Sequence, residues 1–505
     1  MPLLAQTHLD IPTKDLISWC QDNHSTYDQN KAIYVDTATG DTISANQAYK
    51  YIRQLVAGFR AAGLKRGDCV CIHSFNNLYY PILVQGIVAA GGVFVGTNPS
   101  YTAYELEHAI KTSKARYMIA EPDLLDAPKK VARQLGLTDD RILLLSDDAN
   151  SQHATWRSLL RHGEQDWVRF NDLETAKNTT AFLMFSSGTT GLPKAAQLSH
   201  YNLVAEHTLV HENPHHPSPF PVSMPCPLPL FHAAMAPYVH TSALRSGLTA
   251  YIMRRFEPSA YLAAIKKYSI TRLMMVPPMV IAVLNLSHTE PARVRASLAS
   301  VRSVVAGAAP SDAATQNKLA TFLPQSAAFT QLWAMTETSC IATYFYPPKS
   351  DSSGSVGRLM PDMDCKLIDS DGKEIGPYDV QGELCVRGPT VIRGYLDNPK
   401  ANTESWDDEG YFHTGDIAVL SSKNDLWYIV DRNKELIKVR GFQVSPAEVE
   451  GVLLSHPSIK EAAVFGIVVG GKGEVPRAHI IKREGIELSE EEVKDWIKDK
   501  LARYK

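Results

Sequence analysis

The stretch Ser186-Ser187-Gly188-Thr189-Thr190-Gly191-Leu192-Pro193-Lys194 limits what this chain can fold into more than any other. It follows the apolar run Ala181-Phe182-Leu183-Met184-Phe185, which reads as a buried strand, and precedes helical spacing from about Asn202. A glycine- and hydroxyl-rich loop between strand and helix is a phosphate cradle: glycines let the backbone approach closely, and successive N–H groups converge on an anion. Ser187, Thr189, Thr190 and Lys194 add donors and charge. The Walker spacing Gly-x-x-x-x-Gly-Lys-Ser/Thr is not met, so the loop points to nucleotide phosphates in a different fold.

A chain of 505 residues exceeds one compact core, so two or more domains are expected. With 44% hydrophobic and 21% charged residues it has the make-up of a globular protein. A net charge of −3, with no basic block, argues against a nucleic-acid partner. Seven scattered cysteines suit a reducing compartment better than a disulfide framework, and Cys69-x-Cys71 reads as strand alternation. The N-terminus lacks the basic start and apolar run of a secretory signal, and there is no 18-residue apolar stretch. The expected location is cytoplasmic or peroxisomal, with no membrane span.

Helix and strand signals alternate through the first hundred residues. Gln47 to Ala62 places Tyr51, Leu55 and Phe59 at helical spacing, Val70-Cys71-Ile72 is strand-like, Tyr80 to Ala90 is helical, and Gly91 to Gly96 reads as a strand. Such alternation predicts parallel α/β architecture. His207, His211 and His215 are spaced by four, but Pro214 and the prolines after it break the helix, which predicts a solvated helix end rather than a metal site.

Four later motifs follow: Gln331-Leu332-Trp333-Ala334-Met335-Thr336-Glu337-Thr338, Tyr411-Phe412-His413-Thr414-Gly415-Asp416, Asp431-Arg432-Asn433-Lys434-Glu435-Leu436-Ile437-Lys438, and Gly441-Phe442-Gln443-Val444-Ser445-Pro446-Ala447-Glu448. With the first loop they resemble the adenylate-forming superfamily of acyl-CoA synthetases, carrier-protein adenylation domains and luciferases. The likeness covers nearly the whole chain and is nearest to the 4-coumarate:CoA ligase-like branch. It implies a large α/β adenylation domain over 1–431, with parallel sheets and a small β-barrel-like part, then a hinge at 432–434. A small mobile α+β domain over 435–505 would follow.

The resemblance also assigns roles. Ser186, Ser187, Gly188, Thr189, Thr190, Gly191 and Lys194 would hold ATP phosphates. Ala308, Ala309 and Pro310 match one wall of the adenine site and Trp333 the other, where an indole stacks as well as the usual phenol. Thr336 matches a phosphate contact and Glu337 the Mg²⁺ carboxylate. Asp416 matches the group that accepts both ribose hydroxyls, Arg432 a second ribose contact, and Lys438 and Gln443 positions that approach the nucleotide when the small domain turns. The acyl pocket falls on His232, Ala233, Ala234, Gly307, Leu332, Ala334 and Cys340. His232 stands where amino-acid-activating relatives carry an Asp, and a buried imidazole offers an ammonium no partner, so an α-amino acid is disfavoured. Leu332 and Ala334 replace glycines common in relatives, which predicts an acid shaped differently from 4-coumarate. Lys434 would be the pivot, and Lys434, Gly441 and Phe442 would meet coenzyme A.

The implied reaction joins a carboxylic acid, aromatic or medium-chain, to coenzyme A at the expense of ATP. Catalytic roles fall on Thr190, Lys194, His232, Glu337 and Lys438. Loading a carrier protein in trans is the alternative, and a luciferase-like oxygenase and a non-turnover adenylate binder remain open. In the family a lysine loop follows a Leu-Ala-x-Tyr-Lys segment like Leu501 to Lys505. A chain ending at Lys505 is therefore expected to adenylate slowly while still converting supplied acyl-adenylate.

Overall fold

The computed structural model describes residues 2–146, 152–186, 192–307, 313–432, 436–440, 442–469, 473–483 and 485–505. The expected alternation builds a six-stranded sheet in the order Ile142–Leu144, Tyr117–Ala120, Cys69–His73, Val93–Thr97, Thr180–Ser186, Lys194–Ser199. All neighbours are parallel except the last pair. Cys69–His73 and Val93–Thr97 are buried along their whole length, as strands covered on both faces must be. Both cysteines of Cys69-x-Cys71 are buried and free, as alternation along a strand implied. The helix expected after Gln47 spans Ala45–Ala61 and starts at a Ser44/Gln47 capping box; Leu55 and Phe59 enter the core, while Tyr51 packs edge-on to Tyr79 and Trp156. Tyr80–Ala89 covers the neighbouring position.

A second parallel sheet, Arg272–Met275, Ser303–Ala306 and Ala328–Gln331, leads directly into an antiparallel one made of Trp333–Met335, Cys340–Tyr344 and Arg358–Leu359. Beyond it the β-rich part is a four-stranded antiparallel meander: Asp364–Ile368, Gly382–Arg387, Phe412–Ser421 and Leu426–Arg432. The last strand ends where the hinge was expected; residues 433–435, Lys434 among them, lie outside the described residues. The small domain follows, with two hairpins, Ile437–Val439/Phe442–Val444 and Ile459–Val469/Gly473–Lys482. Helices Pro446–Leu454 and Glu490–Lys498 close a separate core on Val439, Val444, Leu453 and Leu501. Among the described residues no helix is long and apolar enough to cross a membrane.

Two expectations need correction. The phosphate-type loop does not join strand to helix: Thr180–Ser186 pairs antiparallel with Lys194–Ser199, Ser186 opposite Lys194, and the helix His200–His211 begins only after that second strand. Ala195, Ala196 and Leu198 are buried, which lets this short run join the sheet edge before Ser199 caps the helix with Asn202. Nor is His207 at a solvated helix end. It is fully buried, its Nδ1 shares a 2.9 Å hydrogen bond with Ser242 Oγ, and its ring meets Trp19 edge-on. The prolines do end the helix, but the helix is packed on all sides, so its histidines belong to the interior.

The Thr97 to Leu106 stretch is the seat of the small domain. Thr102 Oγ1 donates to the Lys500 carbonyl at 2.7 Å, and Asn98 Nδ2 donates to the Tyr504 hydroxyl at 3.4 Å. The Lys505 ammonium is buried between Glu105 at 2.7 Å and Glu448 at 2.6 Å, one carboxylate from each domain. A lysine so enclosed compensates two buried charges at once, and removing it would leave both unpaired.

Candidate active site

The site is assembled where the second parallel sheet passes into the antiparallel one. The short segment Trp333 to Cys340 carries five of the residues singled out from sequence: Trp333, Ala334, Thr336, Glu337 and Cys340. Trp333 is buried, and its indole N–H donates to Asp416 Oδ2 at 2.8 Å, so the aromatic expected on the adenine and the carboxylate expected on the ribose form one unit. Asp416 is held in turn: its N–H donates to Thr414 Oγ1 at 3.1 Å, and Arg432 is its cross-strand partner. Side chains of Arg432 and Gln443 lie outside the description, as do Ser187, Gly188, Thr189, Thr190, Gly191, Ala308, Ala309, Pro310 and Gly441.

One turn beyond Trp333, Thr336 and Glu337 are buried. Glu337 Oε1 accepts from the Tyr395 hydroxyl at 2.8 Å, and the Lys194 ammonium lies 4.8 Å from the centre of the same ring. Tyr395 thus ties the carboxylate expected to hold Mg²⁺ to the lysine expected on the phosphates. Sequence reasoning missed this residue, because nothing in its spacing sets it apart. Burial beside Glu337 pushes the Tyr395 phenol far up, so it stays a proton donor to the carboxylate. The Glu337 carboxylate suits a magnesium ion: a buried carboxylate oxygen can serve as one ligand, leaving the other positions to phosphate and water. Ser186, opposite Lys194, is buried as well.

The side expected to take the acyl group is built by close approach. A Cβ on Gly96 would lie 2.8 Å from Phe231 Cβ, so glycine there lets the Pro229 to Met235 segment press onto the six-stranded sheet. His232 is exposed rather than buried as expected, because the segment turns at this point. Its Nδ1 accepts the Ala234 N–H at 3.1 Å, which leaves Nε2 to carry the proton in the neutral ring. Ala233 is buried, and Ala234 and Ala334 are half-buried. Leu332 is buried on Gly307, where an added Cβ would come within 2.8 Å of its Cδ1. Cys340 is buried at φ +129°, after Ser339 at +59°, so a backbone unusual for side-chain-bearing residues turns its thiol inward.

Behind Ala234 and Cys340 a cavity of about 20 Å³ is lined by Glu206, His211, Tyr238 and Arg272, none of which the sequence reading assigned to the site. A lone glutamate amid Leu203, Val204, Leu209 and Val210 was the signal available for Glu206. Of the residues expected to serve coenzyme A, Phe442 stacks on Tyr504 at 4.3 Å, in the seat between domains. Lys438 is the cross-strand partner of Gln443; its N–H donates to Glu474 Oε2 at 2.7 Å and its side chain is exposed.

A carboxylate and a lysine gathered on one tyrosine, next to an aromatic–aspartate pair and served by a separately cored small domain, define a nucleotide-activating enzyme of two domains. The chain belongs to the AMP-binding enzyme family, which it matches over residues 21–396, with the AMP-binding enzyme C-terminal domain matched over 448–505. It is 47% identical over 504 residues to the phenylacetyl-CoA ligase epaB of Aspergillus niger, spanning 98% of this chain and 92% of that one. Identity is also 47% over 504 residues to the acyl-CoA ligase azaF of the same species, at 98% and 94% coverage. Among solved structures, an o-succinylbenzoate CoA synthetase from Bacillus subtilis superposes with a TM-score of 0.80 at 24% identity, covering 98% and 93% of the two chains, a likeness of fold.

Proposed function

We propose that this chain is an ATP-dependent acid:CoA ligase acting on a small carboxylic acid, with an arylacetic acid as the leading candidate. The observation that carries the reading is the convergence of Glu337, at 2.8 Å, and Lys194, at 4.8 Å, on Tyr395, beside the Trp333–Asp416 pair. The likeness to a phenylacetyl-CoA ligase supports the choice of acid.

In the first half-reaction a carboxylate oxygen bonds to the α-phosphorus of ATP, and the bond to the bridging oxygen breaks, releasing pyrophosphate. The charge that spreads over the phosphoryl oxygens is met by Lys194 and by N–H donors of the 186–194 segment. Glu337, with Thr336 beside it, would hold Mg²⁺, which when bound neutralises phosphate charge. Tyr395 keeps the Glu337 carboxylate in place, Trp333 lies against the adenine and orients Asp416, and Asp416 accepts from the ribose hydroxyls.

In the second half-reaction the thiol of coenzyme A attacks the acyl carbonyl, the carbonyl–oxygen bond to AMP breaks, and a thioester forms. The small domain must leave its seat on Thr97 to Leu106 or turn upon it for this exchange, with the pivot near Lys434 and with Gly441 and Phe442 along the thiol's path. Acid-dependent pyrophosphate release, followed by thioester formation from free coenzyme A or from synthetic acyl-adenylate, tests the reading across aromatic, short, medium and long acids. Thioester formed only on a carrier protein would replace coenzyme A as acceptor, and no turnover of any acid or adenylate would refute the ligase.

A further inference from the structure

The cavity behind Ala234 and Cys340 is polar in a way that a pocket for a plain hydrocarbon chain would not be. Glu206, Tyr238 and Arg272 are 2%, 5% and 7% exposed, yet Glu206 Oε2, the Tyr238 hydroxyl and Arg272 Nε have no hydrogen-bond partner. All three side chains line this one cavity, with His211 beside them. An unsatisfied buried polar group costs about 1–3 kcal/mol, so three around one space point to an absent occupant that satisfies them. Ala234 and Cys340 belong to the two segments that frame the acyl site, which places the cavity at its inner end.

We infer that Glu206, Tyr238 and Arg272 form a specificity subsite for a hydrogen-bond acceptor, such as a hydroxyl oxygen or a ring nitrogen, at the end of the acid remote from its carboxylate. The assignment rests on the ligase reading of the same site. Two of the three groups can only donate here. Arg272 Nε–H has no lone pair to offer. Glu206 already accepts the Ile341 N–H, and burial pushes its carboxyl up to about 8, so its free oxygen carries a proton near neutral pH. The tyrosine hydroxyl adapts to either role. A plain methyl or phenyl end would leave all three groups unpaired. As it stands the space admits about one water, so a substrate must displace that water and shift the walls.

Phenylacetic acid, 4-hydroxyphenylacetic acid and 4-pyridylacetic acid, compared as competing substrates by kcat/KM for thioester formation, test the assignment. The wild type should prefer a polar member over phenylacetic acid by about tenfold or more, and whichever of the two is preferred identifies the oxygen or nitrogen acceptor. Glu206→Leu and Tyr238→Phe should each shift that ratio about tenfold toward phenylacetic acid with KM for ATP unchanged, while Glu206→Gln, which keeps a donor, should retain the preference. Ratios unchanged in variants that melt like the wild type would overturn the subsite and leave a structural water in its place. Equal use of all three acids by the wild type would overturn it too. Failure of the wild type to form any thioester would refute the ligase reading first, and the subsite with it.

Discussion

The two ends of the site are finished to different degrees. At the nucleotide end the groups set around Trp333 and Glu337 are paired within the protein, Trp333 with Asp416, Tyr395 with Glu337 and Thr414 with Asp416, and among the described residues there the Ser186 hydroxyl alone is buried without a partner. At the acyl end Glu206, Tyr238 and Arg272 are buried and incomplete. The nucleotide is the fixed part of the reaction, so its groups are preorganised, and electrostatic stabilisation of a developing charge gains most from such groups. The acid is the variable part, and its pocket carries unpaired groups that only the right molecule completes. Selectivity then comes from the cost of leaving them empty.

The largest effects should come from breaking the paired end. Glu337→Gln and Lys194→Ala should each lower the rate of acid-dependent pyrophosphate release by about 10²-fold or more, by the same factor for every acid. A smaller loss, or one that differs between acids, would mean these groups do not serve the phosphates.

The unpaired end should reveal itself through pH. Burial raises the Glu206 pKa from its ordinary 4.5 to about 8, while His211, Tyr238, Arg272 and Cys340 face it across the cavity. Between those values the folded chain keeps a proton that the unfolded chain has released. The contribution is therefore complete below pH 4.5 and is lost as pH rises toward 8. Glu206→Gln removes this term. Urea unfolding should show the variant gaining on the wild type by about 3 kcal/mol from pH 5 to pH 8. A constant difference would mean Glu206 is ionised in the fold.

Two smaller effects sharpen the contrast. Trp333→Phe keeps a stacking ring but loses the donor to Asp416, and should raise KM for ATP about tenfold, as for a hydrogen bond to a charged group. Leu332→Gly should admit bulkier acids, each added methylene counting for about 1 kcal/mol in kcat/KM. Because Leu332 packs on Gly307, the variant should also melt lower. An unchanged acid profile would show that the side chain serves packing alone.

Much of this was legible in the sequence, for identifiable reasons. Apolar runs such as Val70-Cys71-Ile72 and helical spacing such as Leu55 and Phe59 encode their own burial, and both took the expected form. Glu337, Asp416 and Trp333 were singled out because they sit in motifs of fixed order, and the structure joins Trp333 to Asp416. What escaped was set by tertiary contact. Lys194–Ser199 is too short and small-residued to announce a strand until an edge is there to receive it. Tyr395 reaches Glu337 across 58 positions, and Arg272 reaches the cavity from the strand Arg272–Met275 whereas Tyr238 comes from the helical segment Tyr238–Ser242. His232 was expected to be a buried imidazole, yet a turn closed by its own ring leaves it exposed.

The division between a finished nucleotide end and an acyl end completed by substrate is tested most directly by steady-state kinetics of Tyr395→Phe and Glu206→Leu, with phenylacetic and 4-hydroxyphenylacetic acids at varied ATP. The account predicts that Tyr395→Phe slows both acids by one common factor, and that Glu206→Leu changes their ratio while leaving KM for ATP alone. A changed acid ratio in Tyr395→Phe, or an equal loss for both acids in Glu206→Leu, would contradict it.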